Sequence, residues 1–82
     1  MLVVPTAPMF PNNLRVLRSH KGLTQRACAE AINLPRSRLY LYETGRELPR
    51  WQTAQLLMEY YGVTLAEIYP WQLHQDLIAQ TQ

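Results

Sequence analysis

The stretch that most limits what this chain can fold into is residues 23–45, LTQRACAEAINLPRSRLYLYETG. It encodes two short helices joined by a sharp turn. Thr24 carries the side-chain oxygen that an N-cap needs to satisfy a free N–H of the first turn. From Gln25 to Ile32 the spacing is helical, with Cys28 and Ile32 four apart on one face. Asn33 stands where this helix must stop, and Asn tolerates left-handed backbone better than any residue but Gly. Leu34 re-enters the core. Pro35 falls just inside or just before the next helix, where its missing N–H costs nothing. Leu39 and Tyr42, three apart, give the second helix a buried side, and Gly45 ends it.

The flanks extend the pattern. Pro11 suits the first position of a helix over residues 12–20, with Leu14 and Leu17 inward and Phe10 covering the core at its start. Gly22 closes that helix. After the loop at 45–49, Trp51, Ala54, Leu57, Met58 and Tyr61 recur at three- and four-residue steps, which predicts a helix over about 51–61 with those side chains in the core. Leu56 and Tyr60 lie off that stripe. Gly62 ends the helix. Thr64 and Glu67 form a T-x-x-E capping box that opens another helix at Leu65, and Ile68 closes the core. Pro70 then breaks the chain.

The two ends admit alternatives. Residues 1–10 form an arm with apolar Leu2, Val3, Val4 and Met9. It either packs as an extended segment on the domain or a second subunit, or is a loose tail. Residues 70–82 form a sixth helix or a tail, with Trp71, His74, Leu77 and Ile78 on one face. That face either folds back on the domain or joins two copies, and the second arrangement is the expectation. Leu2, Val4, Tyr60, Trp71, Leu77 and Ile78 are the interface candidates.

Charge points to a partner. All eight basic residues lie between Arg15 and Arg50, a segment with only three acids, Glu30, Glu43 and Glu47. After Arg50 come Glu59, Glu67 and Asp76 and no Lys or Arg. A basic half that coincides with the two-helix motif is the footprint of a phosphate-backbone binder, although small proteins often carry uneven charge.

The motif resembles the helix-turn-helix of the lambda-repressor-like (Cro/CI, XRE-type) family. Cys28, Ile32, Leu34, Leu39 and Tyr42 stand at its apolar places and Ala29 at its small one. Asn33 departs from the usual Gly of the turn. LRVLRSHKGLTQ is similar to the family's first helix and the approach to its second. YETGRELPRWQTAQLLMEYYGVTLAEIY is similar to its E-x-G-x-x-x-P loop and last two helices. The resemblance covers residues 12–69 and implies an all-α, five-helix DNA-binding domain at 11–69. Its helix-turn-helix spans 24–44 and its recognition helix about 35–44.

By that resemblance, Arg36, Ser37, Tyr40 and Leu41 face the major groove. The Arg36 fork matches the O6 and N7 acceptors of guanine. Ser37 suits several bases, and Tyr40 a thymine methyl or a phosphate. Leu41 departs from the family's frequent polar residue: it reads a methyl or serves another purpose. Gln25, Arg38, Thr44, Arg46 and Arg50 are expected at phosphates. Arg18 is expected to pair with Glu43 inside the domain. The implied partner is double-stranded DNA, bound by a homodimer that represses from an inverted-repeat operator. The rival reading is a protein-interaction module or antitoxin component, binding a partner such as a toxin through the arm and the last helix.

Other classes lack support. One cysteine excludes an internal disulfide and a cysteine metal cluster. Cys28 is expected buried and inert, and His20 and His74 lack companion ligands. No apolar run approaches the ~18 residues of a membrane span, and the N-terminus has no signal-peptide pattern. Without a nucleophile–base pair, a phosphate loop or paired carboxylates, no enzymatic activity and no cofactor are expected. The expected location is the cytoplasm.

Overall fold

The structure, a computed structural model, describes residues 10–70 together with Leu73, His74 and Leu77. Five helices follow in order: α1 Leu14–His20, α2 Gln25–Ala31, α3 Arg36–Glu43, α4 Trp51–Tyr61 and α5 Leu65–Ile68. The domain is all-α, and the described residues hold no strand. Residues 1–9 of the expected arm, with Leu2 and Val4, lie outside the described residues, as do Trp71 and Ile78.

Local chemistry sets the helix ends. Thr24 Oγ1 accepts from the Ala27 N–H at 3.1 Å and caps α2. Glu67 Oε2 accepts from the Thr64 N–H at 3.0 Å at the head of α5. The first four helices stop in the same way. A residue with positive φ follows each of them: Gly22, Asn33, Gly45 and Gly62. The next N–H then reaches back five residues to a last-turn carbonyl. These bonds are Leu23 to Arg18 at 3.2 Å, Leu34 to Ala29 at 2.9 Å, Arg46 to Leu41 at 3.0 Å and Val63 to Met58 at 3.0 Å. Asn33 holds φ 59°, so the turn between α2 and α3 uses the left-handed conformation without a glycine.

The core draws on every helix. Leu14, Cys28, Ala29, Ile32, Leu39, Tyr42, Ala54, Leu57, Ile68 and Tyr69 are buried together. The small Ala29 lies where α2 packs on α3. Each fully buried leucine contributes about 1.5–3 kcal/mol relative to exposure.

Four expectations need correction. First, α1 begins at Leu14, not at residue 12, because the Asn12 side chain takes over the start. Asn12 Oδ1 accepts from the Leu14 N–H at 3.0 Å, and its Nδ2 donates to the carbonyls of Phe10 at 2.9 Å and Tyr42 at 2.8 Å. Pro11 therefore stays outside the helix, exposed. Second, Trp51, Met58 and Tyr61 are only half-buried, because the short side of α4 at Ala54 and Leu57 occupies the centre and larger side chains rim it. Third, α2 ends at Ala31, with Ile32 as its C-cap. Fourth, Leu77 does not offer the exposed side chain expected of an interface candidate. It is 0% exposed within this chain's own core, beside a buried His74 whose ring Nε2 lies 3.0 Å from the Tyr69 carbonyl. Leu77 packs within the domain's core, which removes its apolar side chain from water.

Candidate nucleic-acid interface

The surface of interest is the outer side of α3. Leu39 and Tyr42 face the core and fix the roll of the helix. At the period of an α-helix, Ser37, Tyr40 and Leu41 then point away from that buried side, and Arg36 lies at its flank. Arg36, Ser37 and Tyr40 are exposed, Tyr40 to 44%, and Leu41 is half-buried. Together with Gln25 at the head of α2, these four line one surface depression of about 490 Å³. No side chain caps the first turn of α3, whose N-cap is Pro35.

A buried ionic junction sets how α3 is held. Arg18 on α1 donates to Glu43 on α3 through Nε at 2.7 Å and Nη2 at 3.2 Å. Its Nη1 donates to the Leu23 carbonyl at 2.8 Å. Gln25 Nε2 gives a third bond to the same carboxylate, 3.0 Å to Oε1. The Glu43 side chain is 2% exposed and that of Arg18 13%. The hydrogen bond to Glu43 pushes the Arg18 guanidinium further above its ordinary range, against the opposing effect of burial. One carboxylate thus ties the first three helices together behind the exposed face. Cys28 is fully buried, its sulfur 2.9 Å from the Tyr61 hydroxyl.

The residues expected at phosphates divide. Arg46 and Arg50 are exposed on the loop after α3 and at the N-cap of α4. Arg38 is exposed but paired with Glu47. An exposed ion pair is worth about 0–1 kcal/mol, so a phosphate can compete for it. Arg38, Glu47 and Arg50 line a second depression of about 650 Å³ with Tyr42, Leu48 and Thr53. Thr44 turns its hydroxyl back on α3, donating to the Tyr40 carbonyl at 2.7 Å. Gln25 has one amide hydrogen committed to Glu43 and one left.

Sequence reasoning passed over Arg26. It is exposed and lines a third depression, about 560 Å³, with Arg18, Thr24, Gln25 and Arg36. Its signal was its position, the second residue of a helix whose first residue was already a phosphate candidate. Among the described residues no group of three or more His, Cys, Asp or Glu side chains lies close enough to hold a metal ion. No helix among them is long and apolar enough to cross a membrane.

Comparison with known proteins agrees with this geometry. The profile of the helix-turn-helix domain matches residues 12–71. The chain is also 33% identical over 60 residues to the cryptic phage CTXphi transcriptional repressor RstR of Vibrio cholerae. That alignment covers 73% of this chain and 54% of the relative, so the chain spans about half the relative's length. The chain belongs to the helix-turn-helix family, as a lambda-repressor-like (XRE-type) DNA-binding domain.

Proposed function

We propose that the protein is a transcriptional repressor that binds an inverted-repeat operator as a homodimer, with α3 in the major groove. The observation that carries this reading is the single exposed face of α3, where Arg36, Ser37, Tyr40 and Leu41 converge on one depression. Arg36 supplies a planar fork for a guanine edge, a contact worth about 1–3 kcal/mol of discrimination. Arg46 and Arg50 hold the protein in register through phosphates, and Arg26 joins them. Arg38 reaches a phosphate by giving up Glu47. The remaining Gln25 amide hydrogen and the positive end of α2 serve the same purpose. The relative's name, a phage transcriptional repressor, supports repression as the outcome.

Two recognition helices about 34 Å apart match half-sites one helical turn apart. Support for a second copy comes from Leu56, 46% exposed on α4, with Tyr60 one turn further on. The mass in solution of Leu56→Lys tests that interface, and an unchanged dimer places it elsewhere.

The deciding experiment is selection of bound duplexes from a random pool at low and near-physiological salt, repeated with Arg36→Ala and with Arg46→Ala. Enrichment of an inverted repeat that survives the higher salt, and loses its guanine preference in Arg36→Ala, is the expected result. Arg46→Ala should weaken all sequences alike. Binding that enriches nothing and disappears with salt refutes the operator reading and turns the search to a protein partner such as a toxin.

A further inference from the structure

We propose that the depression between α2 and α3 is a methyl pocket, and that Leu41 selects a thymine about two base-pair steps from the guanine taken by Arg36. The proposal rests on α3 being the base-reading helix and adds what that helix reads.

Leu41 offers the major groove neither a donor nor an acceptor, yet it lines the same depression as Arg36. The C5-methyl of thymine is the one apolar group that an unmodified base pair presents in that groove. A cytosine N4 or adenine N6 amine set against Leu41 would lose its water without gaining a partner, which disfavours those bases. The neighbours sharpen this. Tyr40 adds an aromatic wall, 44% exposed. Gln25, one of the polar side chains of the lining, already gives an amide hydrogen to Glu43 at 3.0 Å. The junction of Arg18, Glu43 and Gln25 therefore holds both the roll of α3 and part of the pocket's lining.

The spacing follows from helix geometry. Leu41 is five residues beyond Arg36, a rise of about 7.5 Å at 1.5 Å per residue. That is about two steps of 3.4 Å along a DNA strand. A half-site with guanine and thymine in that relation satisfies both side chains at once.

The test uses the full chain on its selected duplex, with each thymine replaced in turn by deoxyuridine, which removes the methyl and leaves the pairing edge intact. One thymine in each half-site should show an affinity loss of about 4-fold, the equivalent of about 0.8 kcal/mol for one buried methyl-sized group. In Leu41→Ala that thymine-to-uracil ratio should fall to about one while the guanine preference stays. Circular dichroism checks folding, and Tyr40→Ala, an exposed position, provides a second variant in which the ratio should shrink. A flat ratio at every thymine overturns the methyl pocket. So does a ratio that persists in both variants. If no guanine depends on Arg36, the base-reading assignment fails and the pocket with it. If that guanine stands and the ratio is flat, the pocket alone fails.

Discussion

Replacing Glu43 by glutamine is the sharpest probe of how this domain is assembled. The carboxylate is 2% exposed and accepts from Arg18 Nε, Arg18 Nη2 and Gln25 Nε2, at 2.7, 3.2 and 3.0 Å. Glutamine keeps the shape, removes the charge and sets an NH2 donor against other donors. The amide oxygen can still accept from one of these donors, and Arg18, 13% exposed, also keeps its bond to the Leu23 carbonyl at 2.8 Å. Breaking one side of a buried pair costs about 3–5 kcal/mol. The surviving bond and the residual exposure of Arg18 place this case near the low end, about 3 kcal/mol. A chain of 82 residues has about 4–12 kcal/mol of total stability, so the loss is a large share of it. At about 4–8 °C per kcal/mol, the thermal midpoint should fall by about 12–24 °C. The double variant Arg18→Met, Glu43→Leu should recover most of this, since an apolar pair of similar volume removes both charges together. Urea unfolding of the wild type, Arg18→Met, Glu43→Leu and the double, followed by far-UV circular dichroism, gives the coupling directly. The reasoning is refuted if Glu43→Gln costs under about 1 kcal/mol, or if the double is no better than the sum of the singles.

Three further outcomes follow from single residues. The Tyr69 hydroxyl is buried with no hydrogen-bond partner among the described residues, so Tyr69→Phe should raise stability by about 1 kcal/mol at neutral pH; a loss would mean that the hydroxyl is bonded. Burial pushes the Tyr69 phenol well above its ordinary value near ~10, as it also does, less strongly, for Tyr42. Between the ordinary value of the unfolded chain and the raised one of native Tyr69, the unfolded chain holds fewer protons than the native one. The Tyr69 contribution is therefore complete below pH ~10 and falls by about 1.4 kcal/mol per pH unit above it. Urea midpoints across that range should decline, and less steeply in Tyr69→Phe. At Asn33, φ 59°, alanine should cost about 1 kcal/mol while glycine stays close to wild type, and a thermal melt in which alanine equals or exceeds asparagine would defeat the left-handed turn. Leu77→Ala should cost about 2–5 kcal/mol at any protein concentration. Dissociation of a dimer with unchanged unfolding would return Leu77 to an interface.

The chain's own order of residues determined whatever depends on neighbours within about four positions. The Thr24 cap, the left-handed Asn33 and the reach of Glu67 back to Thr64 are of this kind, because a helix end is satisfied by groups a turn away. The core stripes of α2 and α3, and Ala54 and Leu57 of α4, were legible for the same reason, since their period is that of the helix itself. The family resemblance singled out Arg36, Ser37, Tyr40 and Leu41, of which the first three are exposed and Leu41 is half-buried. The tertiary structure decided the rest. Asn12 bonds to a carbonyl 30 residues away, and Gln25 shares a carboxylate with Arg18. Arg38 is engaged by Glu47, and Arg26 joins Arg36 at one depression. Leu77 is covered by its own chain rather than by a partner. Each of these depends on which polar or apolar group is brought within a few ångströms by the packing of separate helices. Spacing along the chain cannot express that, because the bond forms between positions that only the completed core makes adjacent.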